Sequence, residues 1–450
     1  MRKLLMLVLV SLCTAAAVFA GGGQAASGGA GKTHIRFAQW DGGLALETYN
    51  KVAEAYNKSQ DKVEVEIINI PTDYDTKVMA MIAAGDPPEC GFMEAATILF
   101  PLAEEGVIVN LLDFFKTDST VKYSDMWESV AYWQNKDTLL GIGTPEPFGV
   151  FYSPDLFRKY GVAEPPSRYE TGWTWDEFVR TAQLLTIDKN GNNALSPRFD
   201  PDNIDVYGVT FGKWWAVYCA VYNVSGAEGF LYDNGTKWGF FSPEGIDAMQ
   251  KLADLIYRYH VSPTPTASAG VPGTAEGFMT GKVAMEIAGQ WVNDALMNDN
   301  VSYNVAPIPR IKTAGTTVTS AAFSILETPR KDAAWDFFKY MIKPESLRPL
   351  NVSGLWLPFT KLGLVQSNLD AIVTPKHPRN QYDVFYVPVL DPNCKPVISA
   401  VVVDFAKINN EFSAVLDQIW SGEKNYQQIV NENQNRINVL VKGYYEQGTF

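Results

Sequence analysis

FYSPDLFRKYGVAEPPSRYETGWTWDEFVRTAQLL, residues 151–185, carries two helices together with their start and stop signals. Ser153 supplies an N-cap oxygen, Pro154 suits a first helical turn because its missing N–H has no intrahelical partner there, and Gly161 closes the helix. Pro165 and Pro166 hold the next stretch extended. Thr174 opens a second helix, and Glu177 three residues later completes a capping box.

The same rhythm runs outward to both ends. His34 to Trp40 reads as a buried strand ending at Asp41-Gly42-Gly43. A helix from about Ala45 to Lys58 follows, then a strand over Val63 to Ile70. Asp73 to Ala84 has helical apolar spacing and is stopped by Gly85 and Pro87-Pro88. Strand alternating with helix is the pattern of a doubly wound α/β sheet, in which ligands sit beyond the carboxyl ends of strands. Those ends here are Trp40-Asp41, Met93 to Thr97 and Pro145 to Phe148. Later, Ser242-Pro243-Glu244 starts a helix reaching about Tyr259. Lys331 to Ile342 forms another, and Phe412 to Val441 is helical with a break at Gly422.

The first twenty residues read as a secretory signal: Arg2 and Lys3, an apolar core from Leu4 to Leu12, and a small-residue site at Val18-Phe19-Ala20. The apolar run is too short to span a bilayer. Residues 21–32, rich in glycine, read as a flexible linker. Val10-Ser11-Leu12-Cys13 offers the alternative of a lipid on Cys13, against which Leu12 stands as a bulky residue where a small one is usual. Export to the periplasm or the outside as a soluble protein follows from the first reading. Losing Arg2 and Lys3 takes the formal net charge from −13 to −15, which gives no electrostatic reason to bind nucleic acid or anionic membrane. Cys90, Cys219 and Cys394 are too few and too scattered for a disulfide framework or a zinc pattern. One disulfide among them stays open.

Longer strings resemble a known family. Residues 151–178 resemble the signature of extracellular solute-binding proteins that feed carbohydrate ABC importers (family 1, maltose-binding-protein-like). KVMAMIAAGDPPE (77–89), GKVAMEIAGQW (281–291), AAWDFFKY (333–340) and the Gly354 to Pro358 loop match further motifs in order, with Glu89 where the family has aspartate. The resemblance implies an α/β, type II-like periplasmic-binding-protein fold. It has two lobes, each a mainly parallel sheet flanked by helices, joined by a hinge. The implied division is 33–144 plus 305–353 for the N-terminal lobe and 145–304 plus 354–450 for the C-terminal lobe. The chain would cross near Thr144, Val305 and Gly354. The implied function is capture of a mono- or short oligosaccharide between the lobes by a monomer, without cofactor or metal, and delivery to a membrane permease.

A neutral sugar has apolar ring faces and a rim of hydroxyls, so a site for it combines aromatic platforms with fixed polar partners. Ionised carboxylates make the stronger hydrogen bonds. The candidates are Trp40, Asp41, Glu94, Glu146, Trp214, Trp215, Gln290, Trp291 and Trp356. Tryptophan is more often core than platform, and Trp175 and Trp335, inside helices, belong to packing. Val401 to Val403 stand where many oligosaccharide binders have an aromatic, which favours a short ligand. DKNGNN (188–193) superficially resembles a calcium loop, but Phe199 replaces the twelfth-position glutamate, so a polar turn is the better reading. The competing classes are a secreted carbohydrate-active enzyme with paired carboxylates and a same-fold binder of another solute or a receptor-coupled sensor. No triad spacing, G-x-S-x-G or Walker glycine loop accompanies the scattered His34, His260 and His377.

Overall fold

The computed structural model describes residues 31–391 and 394–449. The signal segment, Cys13 and nearly all of the linker lie outside the described residues. From the N-terminus the chain forms β1 (Thr33–Gln39), α1 (Gly43–Ser59), β2 (Val63–Asn69), α2 (Tyr74–Ala83), β3 (Cys90–Met93), β4 (Ala131–Asn135) and β5 (Thr138–Ile142). Then come β6 (Glu146–Tyr152), α3 (Pro154–Tyr160), α4 (Trp175–Leu185), β7 (Thr210–Phe211), α5 (Trp215–Asn223), α6 (Pro243–Tyr257), β8 (Met285–Gly289), β9 (Asn304–Ala306), β10 (Val318–Thr319) and β11 (Ala322–Ile325). Helices α7 (Lys331–Met341), α8 (Phe405–Trp420) and α9 (Tyr426–Asn438) complete the set used below.

The capping signals act as read. Ser153 Oγ accepts from Leu156 N at 3.4 Å, and Gly161 closes α3 at φ 67°, where a Cβ would be strained. Thr174 and Glu177 form the reciprocal capping box of α4. Ser242 Oγ accepts from Gly245 N at 3.1 Å at the start of α6. Gly422, at φ 78°, separates α8 from α9.

Two sheets organise the chain. The first has six strands in the order β2-β1-β3-β11-β5-β4. The second has five, β9-β6-β8-β7 with β10 also on β6. Both are mixed, which corrects the expectation of mainly parallel sheets. In the first, β1, β2 and β3 are parallel, while β11, β4 and β5 pair antiparallel. In the second, only β7 and β8 run parallel. A strand buried on both faces reads as one apolar run whichever way its neighbours point, so direction is not in the pattern.

The chain passes from the first sheet to the second between Ile142 and Glu146. It returns between Thr319 and Ala322. Val305, expected at that return, instead pairs with Phe151 inside the second sheet. The passing segments are laced together. Thr144 Oγ1 donates to Leu357 O at 2.9 Å, and Tyr132 Oη donates to Ser320 O at 2.7 Å. One face of the first sheet buries Phe37, Phe92 and Phe323 against Phe337 and Phe338 of α7. The other face joins a continuous core with the second sheet and α8. Cys90, Cys219 and Cys394 are all free thiols.

Candidate functional site

The cleft begins where β1 ends. Trp40 stands edge-on to Tyr74 at 4.9 Å between ring centres and is half-buried. The next residue, Asp41, accepts a 3.1 Å hydrogen bond from Tyr49 Oη, which rises from α1 with its ring in the core. β3 ends at Met93 and delivers Glu94, which is exposed and whose carboxylate has no hydrogen-bond or ion-pair partner among the described residues. Asp75, in the first turn of α2, accepts from Thr97 Oγ1 at 2.5 Å. Glu146 opens β6, half-buried, and accepts from Thr319 Oγ1 at 3.2 Å across the two passing segments.

These carboxylates feel one another. Burial raises Asp41, and the Tyr49 hydrogen bond partly offsets this. Burial, then the Asp75 charge, pushes Glu94 up to about 7. Burial, then Asp41 and to a lesser degree Glu94, pushes Glu146 up to about 8 against the lowering effect of Thr319. Among the described residues no lysine, arginine or histidine pairs with Asp41, Glu94 or Glu146.

An aromatic wall adjoins them. Phe148 shares the Glu146 face of β6, two residues along the strand. Its ring meets Trp291 at 5.3 Å and Trp214 at 6.1 Å. Trp214 and Trp291 are 6.1 Å apart, and Trp214 keeps 38 % of its surface exposed. The ring of Trp291 folds back over Gly289, where a Cβ would lie 2.0 Å from it. That glycine is therefore needed for the ring position.

The fold brings Trp40, Asp41, Glu94, Glu146, Trp214 and Trp291 to this region. Three other candidates lie differently. Trp356 is only 8 % exposed and packs in the first sheet's core on Phe92 at 5.0 Å and Tyr49 at 6.0 Å, so it backs the site and offers no free face. Gln290 is 2 % exposed and donates its amide to Leu355 O at 3.3 Å, tying the end of β8 to the Gly354 to Pro358 loop. Trp215 touches Trp214 at 5.5 Å but turns its other edge to Phe405 of α8. Tyr49, Asp75, Phe148 and Thr319 were not singled out from the sequence. Phe148 lay in the Pro145 to Phe148 stretch expected as the carboxyl end of a strand, and that expectation is corrected: the stretch opens β6, so Glu146 and Phe148 enter the site from the start of a strand.

Two other features are set apart from the cleft. Asp188 accepts from the backbone N–H groups of Asn190, Asn192 and Asp200, so the DKNGNN loop turns its carboxylate to amide hydrogens, as a polar turn does. A groove of about 440 Å³ at the edge of the second sheet is lined by Arg158, Tyr303, His377 and Arg379, among others. Its charges are engaged locally: Arg379 pairs with Glu164, and His377 Nδ1 accepts from Thr374 N at 2.9 Å.

This is the two-lobed α/β fold of binding proteins, built on two mixed sheets flanked by helices. The family model described as "Bacterial extracellular solute-binding protein" matches residues 42–347, and the chain belongs to that family. A binding protein of Brucella abortus (strain 2308) is 21% identical over 345 residues, covering 75% of this chain and 78% of its own. The ABC substrate-binding protein of Listeria monocytogenes, solved in complex with cycloalternan, superposes with a TM-score of 0.72 at 22% identity, covering 91% of this chain and 99% of that one. The sugar-binding protein MalE of Xanthomonas citri superposes with a TM-score of 0.71 at 17% identity, covering 91% and 97%. The cyclic alpha-maltosyl-1,6-maltose binding protein of Arthrobacter globiformis gives 0.71 at 17% identity, covering 92% and 100%.

Proposed function

We propose that this protein is the substrate-binding component of an ABC importer that captures a sugar in the cleft between its sheets. The observation that carries this reading is the meeting of unpaired carboxylates (Asp41, Glu94, Glu146) with a partly exposed tryptophan wall (Trp214, Trp291) at the strand ends. Hydroxyls would donate to the former and a ring face would lie on the latter. The sugars bound by the structural relatives above support the same class. In this reading the lobes are the two sheets with their helices. Residues 143–146, 319–322 and 354–358 serve as the hinge, and the ligand favours the closed state by contacting both lobes. The closed form then docks on a membrane permease whose ATPase is a separate chain. The protein acts after export, as a monomer and without catalysis.

The test is a thermal-shift screen of the mature protein against mono- and disaccharides, polyols, amino acids and polyamines. A ligand at about a hundredfold over its Kd adds roughly 2.7 kcal/mol to native stability. A sugar that raises the midpoint and is recovered unaltered supports the reading. Consumption of the sugar would replace it with the paired-carboxylate enzyme. A response to amino acids or simple amines alone would keep the fold and discard the sugar.

A further inference from the structure

The site is rich in acceptors, and among the described residues no cation pairs with them. Asp41 and Glu146 each receive one hydroxyl hydrogen bond, from Tyr49 and Thr319, and Glu94 receives none. Neither Lys77, in α2, nor Lys213, beside Trp214, pairs with these acids. Lys77 Nζ donates to Thr72 O and Thr72 Oγ1 at 2.8 and 3.2 Å, and Lys213 lies 5.8 Å over the Phe211 ring. Three carboxylates from three strand ends thus share one field with no neutralising charge from the chain. A neutral sugar would leave the cluster partly protonated, because a hydroxyl brings no charge that favours the ionised carboxylates.

A second, independent feature is the aromatic wall. Trp214 presents 38 % of its surface beside Trp291, a type of surface that attracts cations through the negative face of its π system. Trp40 adds an indole on the first-sheet side, held edge-on by Tyr74, whose buried hydroxyl has no partner. Carboxylates joined to tryptophan faces form the usual environment of a ligand that carries a positive nitrogen on an apolar frame.

Resting on the sugar-binding reading, we infer that the ligand is an amine-bearing sugar, its ammonium group received by Asp41, Glu94 and Glu146 and its ring face by Trp214 and Trp291. The ammonium replaces the missing internal cation, and its three N–H donors match the three acceptors in number. Binding such a cation favours the ionised carboxylates. On the acid side of neutrality, where the sugar amine stays protonated, protons held on Glu94 and Glu146 are therefore released on association.

The experiment is titration calorimetry of the mature protein with glucosamine and galactosamine, their one-linked disaccharides, the N-acetylated form of each, and the corresponding unsubstituted sugars. Runs in two buffers of different ionisation enthalpy count the protons exchanged. The expected result is a preference of about tenfold or more for the free amine over its N-acetyl form, weakened by salt and accompanied by proton release. Glu94→Gln and Glu146→Gln should each narrow that preference. They should spare any residual affinity for the unsubstituted sugar more than affinity for the amine. Equal or tighter binding of the N-acetylated or unsubstituted sugars would overturn the amine assignment and leave the sugar reading intact. Binding of no sugar in any form would overturn both. The wild-type comparison decides the matter even if a variant fails to fold.

Discussion

Tyr49 Oη donates to Asp41 Oδ2 at 3.1 Å, so a phenol buried in the first sheet's core fixes a carboxylate at the edge of the cleft. The ring of Tyr49 also lies 6.0 Å from Trp356, in the Gly354 to Pro358 loop. A movement of that segment is therefore felt at Asp41 through one aromatic contact and one hydrogen bond. Tyr49→Phe removes the hydroxyl and keeps the ring. Stability should fall by about 1 kcal/mol, read as a lower urea midpoint at unchanged slope. Ligand affinity should drop by about threefold to tenfold, since Asp41 loses its fixed orientation. An unchanged affinity would mean that Asp41 does not touch the ligand.

The raised carboxyls set the pH dependence of the unliganded protein. Glu146 and Glu94 titrate near 8 and 7 when folded, above the ordinary carboxylate value of 4.5 that the unfolded chain shows. Between 4.5 and those values the native state holds protons that the unfolded state has lost. Stability contributed by these groups is thus present below pH 4.5 and is lost progressively up to about pH 8. Thermal midpoints of the apo protein should decline over pH 5 to 8. Glu146→Gln should flatten the decline, because a neutral amide cannot titrate. A midpoint that rises over this window in the wild type, with no change in the variant, would remove the carboxylate cluster as its cause.

Much of the fold was legible because local chemistry decides it. Ser153, Gly161, Thr174 and Glu177 each act within one helical turn of their own position, so spacing alone reveals them. The return between the sheets at Ser320 and Ala321 was not legible. Nothing in Thr317 to Ala322 differs from an ordinary strand edge, and the crossing is set by pairing of Val318 with Pro147, distant in sequence. The tryptophans divide for a similar reason. Trp291 and Trp356 are the same residue type near similar motifs, but the exposure of each depends on neighbours from other segments, Phe148 for one and Phe92 for the other. Thr319 as the partner of Glu146 had no sequence signal at all.

The passing segments leave no space for a side chain at Gly143. A Cβ there would lie 1.9 Å from Ser320 Oγ and 2.6 Å from Ala321 O. The hydroxyl can rotate away, but the backbone oxygen of Ala321 directly precedes β11 and cannot. Gly143→Ala should cost about 1–3 kcal/mol as an overpacking change. Adding Ser320→Ala should recover only part of this, since the clash with Ala321 O persists. Full recovery in the double variant, measured by denaturant unfolding, would show that the backbone gives way and the segments are looser than their packing implies.

Trp291 and Trp356 should fail in opposite ways. Trp356 is buried between Phe92 and Tyr49, and its backbone oxygen accepts from Asn351 Nδ2 at 3.1 Å. Trp356→Ala opens a cavity in the first sheet's core and should cost about 3–5 kcal/mol of stability. Any surviving native protein should bind more weakly chiefly because Tyr49, and with it Asp41, has lost support. Trp291 is half-exposed over Gly289, so its truncation removes less buried area and should cost less stability. Its affinity loss should be the larger of the two, about tenfold or more, because a sugar ring face has no other platform beside Phe148 except Trp214. Gly289→Ala offers a third arm. The new methyl would displace the Trp291 ring without deleting it, so affinity should fall while most of the aromatic surface remains. If Gly289→Ala binds like the wild type while Trp291→Ala does not, the ring contributes its bulk to the wall and its observed orientation is unimportant for the ligand.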